Sequence, residues 1–244
     1  MGIFRNGNEK SVKLNICGLT KESNIMICSI VKIDAVSFAV NEKEREAKAD
    51  KLSLNEVKQL ISKVHKPLSS IILTKKTDFT ELDNLINILQ PDAIQLLEEN
   101  IPLDTVKRLF EKHQKTEFIQ TVYLKPEHPV QKIKKQVDSF LHHIDAVSVD
   151  LSMVNIEKSM NWMICGEIIR YIKKQGKQGI MAGELNAEDI ETAVKIAKPD
   201  MISIQARACA QHKETKEILH RTIDNSKLVT VARLIANLND RKTV

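Results

Sequence analysis

A chain of 244 residues that is 42% hydrophobic and 28% charged, with only 7 Gly and 6 Pro, has the composition of a folded globular protein rather than a disordered one. Its longest apolar run, around residues 25–31, is far short of the ~20 residues that cross a bilayer, and the polar opening MGIFRNGNEKS has no signal-peptide core, so a cytoplasmic protein with no membrane attachment is expected. The net charge of +5 is modest and aromatics make up only 4%, which argues against a nucleic-acid partner.

The first predicted strand covers residues 12–17 and ends in LNICGLT, which places Cys17 directly before Gly18. A helix opens behind it at Thr20-Lys21-Glu22, and a second strand begins at Asp34-Ala35-Val36-Ser37. Ser53 and Glu56 then form a capping box ahead of Val57, Leu60, Ile61 and Val64 at helical spacing. A strand over residues 69–73 is followed by a helix after Asp78, carrying Leu82, Leu85, Ile86 and Leu89. Asp92-Ala93-Ile94-Gln95 starts the next strand, and Pro102 opens a helix with Val106, Leu109 and Phe110 on one face. Strands follow over residues 118–123, from Asp145-Ala146-Val147-Ser148 to Asp150, and around residues 179–181. Asn186 caps a helix bearing Ile190, Val194 and Ala197, after which Asp200-Met201-Ile202-Ser203 forms the last strand. Leu228, Val231, Leu234, Ile235 and Leu238 mark a final amphipathic helix, expected to pack on the outside of the fold or on a partner, so that a homodimer is one expectation.

Four of these strands open on one pattern, an aspartate running into apolar residues at positions 34, 92, 145 and 200. The starts are 58, 53 and 55 residues apart (92 − 34, 145 − 92, 200 − 145). With one further strand before each, the count is eight strands alternating with single helices, the pattern of a (β/α)8 TIM barrel of roughly 250 residues. The expected organisation is one barrel domain over residues 1–244, with a polar N-terminal extension at 1–11 and a C-terminal helical extension at 224–244. A doubly wound open sheet competes, but no strand is followed by G-x-G-x-x-G or G-x-x-x-x-G-K-[ST]. Cys17, Cys28, Cys165 and Cys209 lie far apart with no C-x-x-C pair, so free thiols are expected and neither a metal site nor a disulfide framework.

Barrel chemistry sits at the C-terminal ends of the strands, where Cys17 ends the first and Asp150 the sixth. Together with NICGLTKESN, DAVSFAV, PDAIQLLEE, MNW at residues 160–162 and IMAGELNAEDI, these positions resemble the phosphoribosylanthranilate isomerase family of tryptophan biosynthesis over roughly residues 12–219. The resemblance implies an intramolecular oxidoreduction, the Amadori rearrangement of an aminoaldose phosphate to an aminoketose phosphate. It implies Cys17 as general base and Asp150 as general acid, acting on a small sugar phosphate with no cofactor. It also implies substrate contacts from Arg45, Gln95, Gly183, Asn186 and Arg207. Cys17 taken alone reads equally as a packed core thiol, and Asp150 alone as a strand-end cap.

The sequence departs from the family around the phosphate. The family's glycine pair after strand seven is Gly183-Glu184 here, and its glycine turn after strand eight is Gln205-Ala206-Arg207-Ala208. The lysine two residues before the cysteine is replaced by Asn15, with Lys13 two further back on the same strand face. The glycine loop after the acid is also absent, leaving LSMVNIEKSMN between Asp150 and Trp162. A barrel of the same ancestry with altered or lost catalysis, acting as a binding or assembly protein, is therefore the alternative reading.

Overall fold

A computed structural model describes residues 2–5, 11–40, 52–126, 129–153, 158–183, 185, 187–205 and 225–240. Eight strands run β1 (Lys13–Cys17), β2 (Ala35–Ala39), β3 (Ser69–Thr74), β4 (Ala93–Leu96), β5 (Glu117–Tyr123), β6 (Ala146–Asp150), β7 (Gln178–Gly183) and β8 (Met201–Gln205). Each pairs in parallel with its sequence neighbours, and β1 pairs with β8 to close the barrel. The helices are α1 (Glu22–Ile30), α2 (Leu54–Ile61), α3 (Phe79–Leu89), α4 (Leu103–Lys112), α5 (Val130–Phe140), α6 (Lys158–Lys174), α7 (Ala187–Ala197) and α8 (Asn225–Asp240). The expected (β/α)8 barrel is the fold observed.

Strand side chains alternate between two cores. Leu14, Ile16, Val36, Phe38, Ile72, Ile94, Phe118, Val147 and Met181 face outward and pack in one cluster with the helices. Ala35, Ile71, Ala93, Ile119, Ala146, Ile180 and Met201 form a separate cluster inside the barrel. Alanine on β2, β4 and β6 alternates with larger residues on β3, β5, β7 and β8, which is how large side chains share a narrow barrel interior.

The repeated aspartates act as ties at the strand starts. The carboxylates of Asp34, Asp92, Asp145 and Asp200 accept the backbone N–H of Leu14, Ser70, Phe118 and Gly179, each at 2.8 Å on the preceding strand. Their carbonyls accept from Ser69, Glu117, Gln178 and Lys13 on the strand that follows. An aspartate here therefore stitches three strands at the barrel's lower rim, satisfying amides that burial would otherwise leave unpaired.

Local signals agree with this frame. Ser53 and Glu56 complete their capping box on α2, and Asp78 accepts from the Glu81 N–H at the start of α3. Pro102 stands at the N-cap of α4, as expected. Lys21 caps α1 without a side-chain hydrogen bond. Helix α8 lies on the barrel's outside against α7 and β1, burying Leu228, Val231, Ile235 and Leu238. Asn239 fastens it by pairing its amide with both the N–H and the carbonyl of Val12. Most of its apolar face is thus used within the chain, with Leu234 left half-buried.

The opening residues differ from the polar extension expected of them. Ile3 and Phe4 are each only 5% exposed and join the inner cluster, plugging the lower end of the barrel. The buried Glu117 carboxylate accepts three successive backbone amides, those of Ile3, Phe4 and Arg5, at 2.6, 2.9 and 2.7 Å. Arg5 forks onto Asp145 through Nε at 2.8 Å and Nη2 at 2.9 Å. Two apolar residues within a polar stretch are too few to show a periodicity, so the plug was not visible as an element.

Candidate active site

The interior of the barrel changes character toward its C-terminal mouth. Above the apolar cluster lies a buried polar layer of Asn15, Ser37, Gln95, Thr121, Ser148 and Ser203. Ser37, Gln95, Ser148 and Ser203 are the fourth residues of the four aspartate repeats, so one repeat supplies both the ties below and the polar layer above. The reason is geometric, since residues three apart along a strand separate the rim from the mouth side of the sheet.

Cys17 stands above this layer at the end of β1, half-buried, in register with Ser37 on β2 and Gln205 on β8. Its Sγ is 2.8 Å from the Ser203 hydroxyl and receives the Asn15 Nδ2 at 3.1 Å. The same Nδ2 donates to Ser203 Oγ at 2.8 Å, while Ser37 Oγ donates to Asn15 Oδ1 at 2.9 Å. Burial pushes the Cys17 thiol up, the hydrogen bonds from Ser203 and Asn15 pull it down, and the Asp150 carboxylate adds to the rise. Gly18 follows with φ +80, a conformation that turns the chain out of the strand and lets its N–H reach the Ser37 carbonyl.

Lys13 does not reach the thiol. Its Nζ donates to the Ile3 carbonyl at 2.5 Å, at the plugged end of the barrel. Two residues before the cysteine it is the Asn15 amide, a neutral donor, that reaches the sulfur.

Asp150 ends β6 half-buried, and its Oδ1 accepts the Ser152 N–H at 2.8 Å, which turns the chain away from the strand. Its neighbour in register on β5 is Tyr123, whose hydroxyl donates to the Leu97 carbonyl at 3.1 Å. Burial, then Asp150, Glu98 and Glu99, push the Tyr123 phenol up to about 12, so it remains a neutral donor. The rim cations here are paired, Lys125 with Glu99 and Lys76 with Glu81 at 2.7 Å.

The other expected contacts divide. Gln95 lies one layer below the mouth, 6% exposed, and gives its Nε2 to Thr121 Oγ1 at 2.9 Å. Gly183 ends β7 with φ +143, a backbone conformation that strains any side chain, and a Cβ there would stand a tight 3.2 Å from that of Leu151. Arg45, Asn186 and Arg207, like Glu184, lie outside the described residues. Among the described residues no group of three His, Cys, Asp or Glu is placed to hold a metal ion, and no helix is long and apolar enough to cross a membrane. Sequence reasoning missed Ser203, Ser37 and Tyr123 as site residues. The recurrence of a polar residue at the fourth place of each repeat pointed to Ser37 and Ser203, whereas Tyr123 falls in no repeat.

Fold and mouth together define a (β/α)8 barrel that sets a thiol and a carboxyl on opposite sides of one C-terminal opening. The chain resembles the N-(5'-phosphoribosyl)anthranilate isomerases. It is 25% identical to that enzyme of Methanocaldococcus jannaschii over 218 residues, covering 85% of this chain and 93% of the relative. It is also 25% identical to that of Clostridium kluyveri over 208 residues, covering 85% and 94%. The solved phosphoribosylanthranilate isomerase of Pyrococcus furiosus superposes with a TM-score of 0.71 at 16% identity, over 93% of this chain and 99% of that one, and establishes the shared fold. No protein-family model matches the chain.

Proposed function

We propose that this chain is a phosphoribosylanthranilate isomerase of tryptophan biosynthesis, converting an aminoaldose phosphate to an aminoketose phosphate by an Amadori rearrangement. The observation that carries this is the placement of Cys17 and Asp150 at the C-terminal ends of β1 and β6, on the same mouth of the closed barrel. The likeness to relatives of that name over 85% of the chain supports it.

The chemistry needs one proton delivered and one removed, from groups on different sides of the substrate. Asp150 gives a proton to the furanose ring oxygen as the C1–O bond breaks and the ring opens to an iminium. The Cys17 thiolate then takes the proton from C2, and the electron pair moves into the C1–C2 bond to form an enolamine. Tautomerisation of the enolamine yields the ketose. Every atom is conserved, and the hydrogen lost from C2 is balanced by the one gained at C1. Gly183 ends β7 at the same mouth as Cys17 and Asp150 and is a proposed contact through its backbone. Arg45, Asn186 and Arg207 remain the proposed contacts from the loops.

The test is turnover of freshly prepared phosphoribosylanthranilate, followed by its fluorescence, with wild type beside Asp150→Asn. Turnover by wild type that is lost in the variant is expected. No turnover by a folded wild type defeats the proposal and returns the barrel to a binding role.

A further inference from the structure

The groups around Cys17 are arranged in one direction. Ser37 donates to Asn15 Oδ1, which fixes the amide so that its Nδ2 faces β8 and the sulfur. That nitrogen carries two protons, one for Ser203 Oγ and one for Cys17 Sγ. Ser203, which accepts from Asn15, also has a hydroxyl proton that it can direct at the sulfur 2.8 Å away, as it would at a thiolate. All three residues are nearly or fully buried, with exposures of 1% for Asn15, 0% for Ser37 and 3% for Ser203, so water does not compete for these bonds.

We propose that Asn15 and Ser203 are positioning residues that hold the Cys17 sulfur as a hydrogen-bond acceptor, stabilising its thiolate with neutral donors where no cation among the described residues is at hand. This deepens the isomerase reading and rests on it, because it concerns the base that the reading assigns. Two donors converging on one sulfur favour the charged acceptor over the neutral thiol, whose own proton would have to be accommodated among them. The surroundings leave the role to these donors. Lys13 on the same strand is bonded to Ile3, and β2 and β8 present Ser37, Ser203 and Gln205, none of which ionises near neutral pH. The charge that bears on Cys17 among the described residues is that of Asp150, which opposes the thiolate.

The experiment measures the pH midpoint of Cys17 alkylation by iodoacetamide, read by peptide mass, in a Cys209→Ser background. Cys28 and Cys165 are fully buried and do not interfere. Asn15→Leu and Ser203→Ala are each expected to raise the midpoint by about one to two pH units, the equivalent of one hydrogen bond to a charged group. The isosteric Asn15→Asp, which exchanges a donor for an acceptor while keeping the side chain's shape, is expected to raise it further. Midpoints unchanged from wild type in variants that keep their circular dichroism overturn the proposal. Turnover separates the two readings. With activity present, kcat near pH 7.5 falls in the variants while KM holds. Shifted midpoints without wild-type turnover leave the donors in place and remove the isomerase, whereas turnover with unmoved midpoints does the reverse.

Discussion

The Cys17 thiol is under opposing influences, and which prevails sets how the site responds to pH. Burial raises it and its hydrogen-bonding neighbours Ser203 and Asn15 lower it, with the net direction upward. A general base with a raised pKa is mostly protonated at neutral pH, so kcat/KM is expected to keep climbing past the ordinary thiol value of ~8.5. A pH–rate profile that is flat from pH 6 to 9 would show that the titrating base is another group. Cys17→Ser is expected to lower kcat by at least ~10²-fold while leaving the melting temperature nearly unchanged. A comparable loss of stability with little change in rate would make Cys17 a packing residue. Stability has its own dependence. Cys165 is fully buried with its thiol also pushed up. Groups whose folded pKa lies above the unfolded value contribute fully below that value, so stability is expected to hold up to about pH 8.5 and to fall as pH rises further. Cys165→Ala, compared by urea unfolding at pH 7.5 and 9.5, should show a smaller alkaline loss than wild type.

At the level of elements, the aspartate repeat shows how much of the barrel is written in short patterns. Each repeat couples a carboxylate tie, a small or apolar interior residue and a polar residue nearer the mouth. A period-2 strand buried on both faces needs all three, because its two sides meet different neighbours. Asp92 accepts both the backbone N–H and the hydroxyl of Ser70 and pairs with Lys66 at 2.5 Å. Asp92→Ala should therefore cost about 2 kcal/mol, chiefly by leaving a buried amide unpaired, and lower Tm by about 4–8 °C. A melt superimposable on wild type would mean that water takes over the amide. Helix α2 was equally legible, since its capping box is local chemistry between residues three apart.

For the whole molecule, the two ends of the barrel have separate duties. The mouth carries Cys17 and Asp150, while the lower end is sealed by Ile3 and Phe4 above the carboxylate of Glu117. Phe4→Ala should then destabilise the fold by about 3 kcal/mol, since an aromatic packed into the interior leaves a cavity behind. Its kcat should stay within about twofold of wild type, because the packing lost is at the far end of the barrel. Calorimetry and steady-state rates on the same preparation check both parts. A rate that collapses while Tm holds would mean that the ends are coupled.

Eight strands, their order and most of their helices were determined by the sequence itself, through apolar periodicity, capping chemistry and a repeat of 53 to 58 residues, whereas α5 and α6 were not singled out. The strand-end placement of Cys17 and Asp150 followed from the same patterns, because side-chain parity within a strand is a local property. Only the closed barrel decided what surrounds them. Ser203 lies 186 residues from Cys17 and Glu117 lies 114 from Ile3, yet hydrogen bonds join both pairs. Contacts of that span leave no periodicity in the chain, because they are made by closing β8 onto β1 and by the opening residues entering the barrel. Local order is set by near neighbours, whereas the environment of the thiol is set by which distant strands the hydrophobic core brings together.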